Sequence, residues 1–316
     1  MKNEKAPKKI IPVFFAADDN YVPFLAVTLQ SIKEHASAEN EYRIYILHAG
    51  VSEGGSEKIK KFGSGNFKVN FVDVTDRLAV LSEELQLRDY YSCATYYRIF
   101  IAMMFPEYDK AIYLDSDIAV RCDLADYFDI DLGDNYVAGV PDGAVGAVPV
   151  FKEYTKHVLG IEAERYFNAG VLLLNLKALR NEDFYGKFSA LLKKYKFAVA
   201  QDQDYLKVLC RGIVKFLEDE WNAMPIGGET QRLKDPKIIH YNLTMKPWHY
   251  DDILYREYFW ASAEKTEFYE LLKGFLRDYS EEEKKNDAAC EAGLLALCEK
   301  EIASEENYYK KYGKEA

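Results

Sequence analysis

The 316-residue sequence is poor in cysteine, with five in all: Cys93, Cys122, Cys210, Cys290 and Cys298. They are odd in number, scattered and never spaced Cys-x-x-Cys. That pattern excludes a zinc site or disulfide framework and fits free thiols in a reducing compartment. No apolar run approaches the roughly 20 residues that a membrane-crossing helix needs. Basic charge is not in excess either. Against 41 Lys plus Arg stand 52 Asp plus Glu, a net charge of −11, which argues against nonspecific binding to nucleic acid or to anionic membranes. Internal repeats and low-complexity linkers are absent. A basic start, Met1–Lys9, and an apolar run, Ile10–Ala17, look like a secretory leader. The run is short and broken by Pro12, so it reads instead as a buried first strand, and the protein is expected in the cytoplasm.

What is present is a globular composition, 49% hydrophobic and 15% aromatic, with 25 Tyr and 18 Phe. The length suits one large domain with an appendage. Such an acidic protein needs local cations to hold a phosphorylated ligand, and a divalent metal is one solution.

Apolar, β-branched runs alternate with helical patterns. Strands are expected at Ile10–Ala17, Tyr42–His48, Lys68–Val74, Ala111–Leu114, Tyr136–Val140, Gly170–Leu176 and Ile238–Tyr241. Helices are expected at Pro23–His35, Glu57–Phe62, Ala94–Met104, Leu124–Phe128, Glu182–Tyr195 and Asp202–Cys210. This alternation implies βαβ units: an α/β fold with a mostly parallel central sheet covered by helices on both faces. From about residue 264 the strands stop. The division expected is a main domain over 1–263 and a helical, acidic extension over 264–316, with helices at Glu267–Tyr279 and Glu281–Tyr309. In the second helix Ala288, Ala292, Leu295, Cys298 and Ile302 trace one apolar face, suited to packing on the main domain or on a second copy.

The most informative segment is Lys110–Val120, an apolar run ending in Asp115 and Asp117 around Ser116. On an extended strand, residues two apart share a face, so both carboxylates can point at one spot. Open α/β sheets place ligands at strand ends. Two hard oxygen ligands there suit Mg²⁺ or Mn²⁺ and, through the metal, a pyrophosphate. The plain alternative is a solvated turn.

Other segments carry the same ambiguity. Ala16-Ala17-Asp18-Asp19-Asn20 can read a base edge, or Asp19 or Asn20 can cap the next helix. Ser92–Arg98 brings a planar cation towards the Asp-x-Asp strand, or Arg98 is simply solvated. Asn168 precedes the small pair Ala169-Gly170, which lets backbone approach a ligand, or marks a turn. Asp202 and Gln203 can bind sugar hydroxyls or cap a helix. His240 can be a third metal ligand and Lys246 a phosphate cation, or both are structural.

Their order along the chain is distinctive. Ala-Asp-Asp-Asn, Thr-x-x-Arg, Leu-Asp-x-Asp, Phe-Asn-Ala-Gly-Val-Leu-Leu-x-Asn-Leu, Asp-Gln-Asp and His-Tyr…Lys-Pro-Trp together resemble the family 8 retaining glycosyltransferases over Ile11–His249. That family includes bacterial lipooligosaccharide galactosyltransferases and glycogenin. The resemblance implies a GT-A fold, a UDP-galactose or UDP-glucose donor, a carbohydrate or glycoconjugate acceptor, Mn²⁺ (with Mg²⁺ as substitute) and retention of the α configuration. By position it implies Asp115, Asp117 and His240 as metal ligands. Ala16, Asp18 and Asn20 would hold the uridine, and Arg98, Asn168, Ala169, Asp202 and Gln203 would surround the donor sugar. Lys246 would meet the pyrophosphate, and Gln203, Asp202 and Arg98 are the candidates for catalysis.

Two departures stand out. Where the family often has Gly between the His and the Lys, this chain reads Asn242-Leu-Thr-Met245, and a β-carbon there is expected to narrow the loop. The acidic tail also lacks the basic, aromatic character of membrane-associated members. Such a tail would serve acceptor binding or self-assembly, and Tyr308, Tyr309 and Tyr312 are candidate self-glucosylation acceptors. The segment Asp142–Arg165 is expected to fold over the donor as a lid. Two rival readings are a haloacid-dehalogenase-type phosphatase, disfavoured by Ala119 and by the late position of Asp-x-Asp, and a non-catalytic nucleotide-sugar binding protein.

Overall fold

A computed structural model describes residues 7–77, 94–226, 230 and 232–313. Met1–Ala6 of the basic start, and Ser92 and Cys93 of the Ser92–Arg98 motif, lie outside the described residues.

The apolar runs form nine strands among the described residues: β1 Lys9–Ala16, β2 Asn40–His48, β3 Phe67–Asp73, β4 Ala111–Leu114, β5 Ile118–Val120, β6 Val137–Gly139, β7 Val171–Leu174, β8 Val214–Phe216 and β9 Ile238–His240. The helices are α1 Val22–His35, α2 Glu53–Lys60, α3 Tyr97–Met104, α4 Leu124–Phe128, α5 Gly143–Ala147 and α6 Pro149–Tyr154. Then come α7 Leu176–Asn181, α8 Phe184–Lys194, α9 Asp202–Leu209, α10 Arg256–Ala263, α11 Tyr269–Asp278, α12 Glu281–Ala303 and α13 Tyr308–Tyr312.

Seven strands make one sheet in the order β3-β2-β1-β4-β7-β6-β8. The first four neighbours are parallel, whereas β7 runs antiparallel to both β4 and β6. The sheet is therefore mixed. Both faces are buried, as the unbroken apolar runs of β1, β4 and β7 require. Phe14, Tyr113 and Leu172 face a layer containing α3, α7, α8 and α9. Val13, Phe15, Ile112 and Leu173 face α1 and α10. Burying each such side chain contributes roughly 1.5–3 kcal/mol.

Two three-residue strands are not expected from the sequence: β8 and, more importantly, β5, which follows β4 after only the Asp115–Asp117 turn. Strand β5 pairs antiparallel with β9 in a separate ribbon, with Ile118 opposite His240. Helix α2 also begins earlier than expected, because Ser52 caps it by accepting from the Gly55 N–H.

In the tail, the expected stripe is half right. Ala288 and Ala292 are exposed, and the seat is made by Leu294, Leu295, Leu297, Cys298 and Ile302. The first half of α12 is held by polar contacts instead. Ser280 and Glu283 form a reciprocal cap, and Asp287 accepts from the Tyr250 and Tyr279 hydroxyls at 2.7 Å each. The helix ends at Ala303, and a separate turn follows, with Asn307 capping α13.

Helix α1 fixes the end of β4 through hydroxyls. Thr28 Oγ1 lies 2.9 Å from Ser116 O and 2.8 Å from Ile118 O, and accepts from Ile118 N–H at 3.2 Å. Ser31 Oγ accepts from Val120 N–H at 2.9 Å. Thr28→Val should strand these buried backbone groups, costing about 1–3 kcal/mol and lowering Tm by roughly 2–8 °C. Thr28→Ser should recover most of the loss. Thermal unfolding of the two variants checks this.

Candidate active site

The two carboxylates do not share one extended strand, as the Asp-x-Asp spacing suggests. Strand β4 stops at Leu114, and the chain turns through Asp115-Ser116-Asp117 before β5 begins. Ser116 Oγ donates to Ala16 O at 3.0 Å, and Asp115 N–H donates to Gly170 O at 2.8 Å. Held on both sides, the turn still aims Asp115 and Asp117 together. The β5–β9 ribbon supplies the third member: Tyr241 N–H donates to Asp117 O at 3.0 Å, which brings His240 alongside. His240 Nε2 lies 3.3 Å from Asp117 Oδ1 and 3.7 Å from Asp115 Oδ2. One ligand atom from each of the three residues lies within 4.8 Å of the others.

This set fits a divalent cation. Two carboxylates and an imidazole are hard and borderline donors suited to Mn²⁺ or Mg²⁺. His240 Nδ1 is buried with no hydrogen-bond partner among the described residues. Gly170 leaves the room: a β-carbon there would sit 2.3 Å from His240 Cε1 and 2.5 Å from Asp115 Oδ2. Only glycine tolerates that approach.

Cations counter the cluster. Lys246 Nζ lies 2.5 Å from Asp117 Oδ2 and donates to Tyr241 O at 2.5 Å. Burial alone would raise the Asp117 carboxyl, but Lys246 and His240 outweigh it and hold it well below the usual range. Trp248 stacks on Phe24 of α1 at 3.9 Å and anchors the Lys246 loop. Within that loop Leu243 takes φ 52°, the left-handed conformation that favours glycine, and is 48% exposed. The loop thus keeps a glycine-like backbone without glycine, and Leu243 itself joins the lining of the cavity described below.

Arg98 is buried, not solvated. Its guanidinium donates to Ala169 O and to Thr95 O, and lies 3.4 Å from Asp115 Oδ1 and 3.2 Å from Asp202 Oδ2. It also sits 4.4 Å from the Tyr113 ring centroid. Burial pushes the Asp202 carboxyl up from 3.8 to about 6, even though Arg98 pulls it down. Gln201, immediately before, takes φ 40°, a strained backbone for a side-chain-bearing residue. The amide of Gln203 is pinned at both ends: Oε1 accepts from Ala169 N–H at 2.9 Å and Nε2 donates to Tyr166 Oη at 3.2 Å. Asn168 donates to Asp142 Oδ2 at 2.9 Å and accepts from Gly170 N–H and Asn222 Nδ2.

Arg98, Asp115, Asp117, Asn168, Asp202, Gln203, His240 and Lys246 all line one cavity of about 430 Å³, a size typical of small-molecule sites. Ala16, Asp18, Asn20 and Ala169 do not line it. Ala169 acts through its backbone, as above. Asp18 accepts from the N–H groups of Asn20 and Tyr21 at 2.9 and 3.1 Å, and so turns the chain into α1. Neither Asp19 nor Asn20 caps α1; Asp19 accepts from Ser52 instead.

Sequence reasoning missed Tyr21, Thr95, Asp142 and Tyr166 in the lining. Tyr21 immediately follows the Asp18–Asn20 segment and, being aromatic, could have been read as a stacking surface. The segment after Asp142 folds as α5, α6 and a π-helical turn, and Ala144, Val145, Phe151, Tyr154 and Thr155 form one wall.

Against known proteins, the chain matches the family described as "Glycosyl transferase family 8" over residues 12–252. A putative glycosyltransferase of Haemophilus influenzae is 30% identical over 246 residues, covering 75% of this chain and 72% of that protein. A solved galactosyltransferase, LgtC in complex with donor and acceptor sugar analogs, superposes with a TM-score of 0.68 at 30% identity, covering 81% of this chain and 96% of that one. The apo WbbM bifunctional glycosyltransferase gives 0.76 at 27% identity; it covers 87% of this chain, which spans 53% of that longer protein.

Two outcomes are expected. Gly170→Ala should push His240 and Asp115 apart and weaken the affinity of this site for a divalent cation by about tenfold or more, measured by calorimetry on a folded variant with Mn²⁺ and Mg²⁺ as probes. Asp202 binds its proton more tightly folded than unfolded. Its contribution to stability is therefore full below 3.8 and falls as pH rises through about 6, by up to about 3 kcal/mol. Asp202→Asn should flatten the stability-versus-pH slope between those values, as urea unfolding across pH will read.

Proposed function

The chain belongs to glycosyl transferase family 8, a GT-A glycosyltransferase, and from that premise we propose that it moves galactose or glucose from a UDP-sugar to a saccharide or glycoconjugate acceptor with retention of the α configuration. The observation that carries this reading is the single cavity in which Asp115, Asp117 and His240 meet Arg98, Asp202, Gln203 and Lys246.

Cleaving the sugar–phosphate bond leaves negative charge on the departing UDP. A divalent ion, Mn²⁺ or Mg²⁺, held by Asp115, Asp117 and His240 would supply Lewis-acid stabilisation of that charge. Lys246, held next to Asp117, adds a second cation for the pyrophosphate. Asp202, ion-paired with Arg98, accepts hydrogen bonds from the sugar hydroxyls once ionised. Arg98 orients Asp202 and Asp115 together. Gln203, with its amide fixed between Ala169 and Tyr166, presents a rigid dipole beside the sugar where positive charge develops at the anomeric carbon. Gln203 is a poor nucleophile, and Asp202 is already committed to Arg98, which favours front-side attack by the acceptor beside the leaving UDP. Ala16, Asp18 and Asn20 at the end of β1 frame the uridine, with the Tyr21 ring as its stacking surface. The wall of α5 and α6 excludes water from the sugar.

UDP-galactose and UDP-glucose hydrolysis with Mn²⁺, Mg²⁺ or EDTA, followed by an acceptor screen, tests the proposal. Asp117→Asn keeps shape but removes charge, and should lower hydrolysis by on the order of 10²-fold or more while the fold survives. A folded variant turning over UDP-sugar at a near-normal rate would sink the assignment.

A further inference from the structure

On the far side of the Tyr166-Phe167 segment lies a second cavity of about 250 Å³, separate from the one described above. Three cations reach it: Arg165, Lys207 and Arg211. Lys207 is 2% exposed, and its ammonium has no hydrogen-bond partner among the described residues. It rests 3.6 Å from the Phe167 ring centroid and 5.0 Å from that of Tyr166. These π faces compensate only part of the lost hydration. Burial lowers the Lys207 ammonium to about 7, with Asp142 and Asp202 pulling it the other way but forming no bond to it.

Arg211 is in the same position. Its Nη2 donates to Leu159 O at 2.5 Å, but Nε is buried without a partner among the described residues. The Arg165 guanidinium lies 5.1 Å from the Phe216 ring centroid at the exposed rim. The carboxylate in the lining, Glu162, lies 3.8 Å from Lys156. Burial raises the Cys210 thiol to about 12, so it stays neutral and does not repel an anion. Gly160 and Gly212, at φ 69° and 78°, form side-chain-free edges.

We propose that this cavity binds a phosphate dianion, free or as the monoester of a small metabolite, at a site distinct from the donor site. Arg165 at the rim meets it first, and the Lys207 ammonium and the Arg211 Nε–H, each buried without a partner among the described residues, turn towards it as charge-assisted donors of the kind phosphate favours. The volume leaves room for a small organic group beyond the phosphate. Helix α9 links the two cavities, carrying Asp202 and Gln203 in its first turn and Lys207 in its second. An anion on Lys207 would therefore alter the field at Asp202. That last step rests on the proposed function; phosphate binding itself does not.

The test is calorimetric titration of the full chain, in EDTA and without nucleotide, with inorganic phosphate and separately with glucose 6-phosphate. The expected result is saturable binding of at least one of them, with the stronger ligand telling free phosphate from a monoester. Lys207→Met should weaken it by about tenfold or more, and Lys246→Met in the donor cavity should leave it within about twofold. If Lys207→Met does not fold, Arg165→Gln at the rim should weaken binding by about threefold. Absence of binding by both ligands up to about 10 mM, or binding abolished by Lys246→Met and untouched by Lys207→Met, overturns the proposal.

Discussion

The structure is organised around one electrostatic constraint: Asp115, Asp117, Asp142 and Asp202 line a single cavity in a protein that is already strongly acidic. Like charges so close in a poorly solvated space repel strongly. The fold answers with two cations and a neutral amide placed against them. Arg98 bridges Asp115 and Asp202, Lys246 takes Asp117, and Asn168 donates to Asp142. Each of these partners arrives from a different part of the chain, so the sheet, the β5–β9 ribbon and helices α3 and α9 must all be in place before the carboxylates can coexist. Breaking one partner leaves an uncompensated buried charge, which costs more than the pair itself contributes.

Much of this was legible in the sequence. Strand β4 and helix α4 have the bounds read from apolar periodicity, because each is a short apolar run with clear polar stops. The motif residues that line the cavity were identified from their order along the chain. What could not be read was tertiary. Three-residue β5 carries no period of its own and exists because β9 pairs with it, and that pairing is what sets His240 beside Asp117. The stapling role of Thr28 is invisible, since a hydroxyl on a buried helix face looks like an ordinary core threonine. Arg98 looks like a solvated helix residue until Asp202, about a hundred positions away, is folded against it. In the tail, alanines at helical spacing suggested burial, but Ala288 and Ala292 offer too little apolar area to outbid the polar contacts of Asp287.

Among the described residues four side-chain-bearing positions take positive φ; Asp183 and Tyr255 precede α8 and α10, and the other two lie at the cavity. These are Gln201, which immediately precedes Asp202 and Gln203, and Leu243, which lines the cavity beside Asn242. Such conformations cost of order 1–3 kcal/mol each and persist only where surrounding contacts over-determine them. Gly170 shows the opposite economy, contributing through the absence of a side chain.

The seating of Tyr308 has a consequence for synthesis. Its ring packs on Tyr195 and Phe197, within the same apolar cluster that holds Tyr205 of α9. As the chain emerges from the ribosome, that cluster stays open at one side until roughly a hundred further residues have been made, about 5–20 s at ordinary elongation rates. During that interval the helix bearing Asp202 and Gln203 lacks its final cover. A nascent chain will therefore expose aromatic surface beside an unfinished site, and a chaperone that recognises such surface has a defined window in which to act.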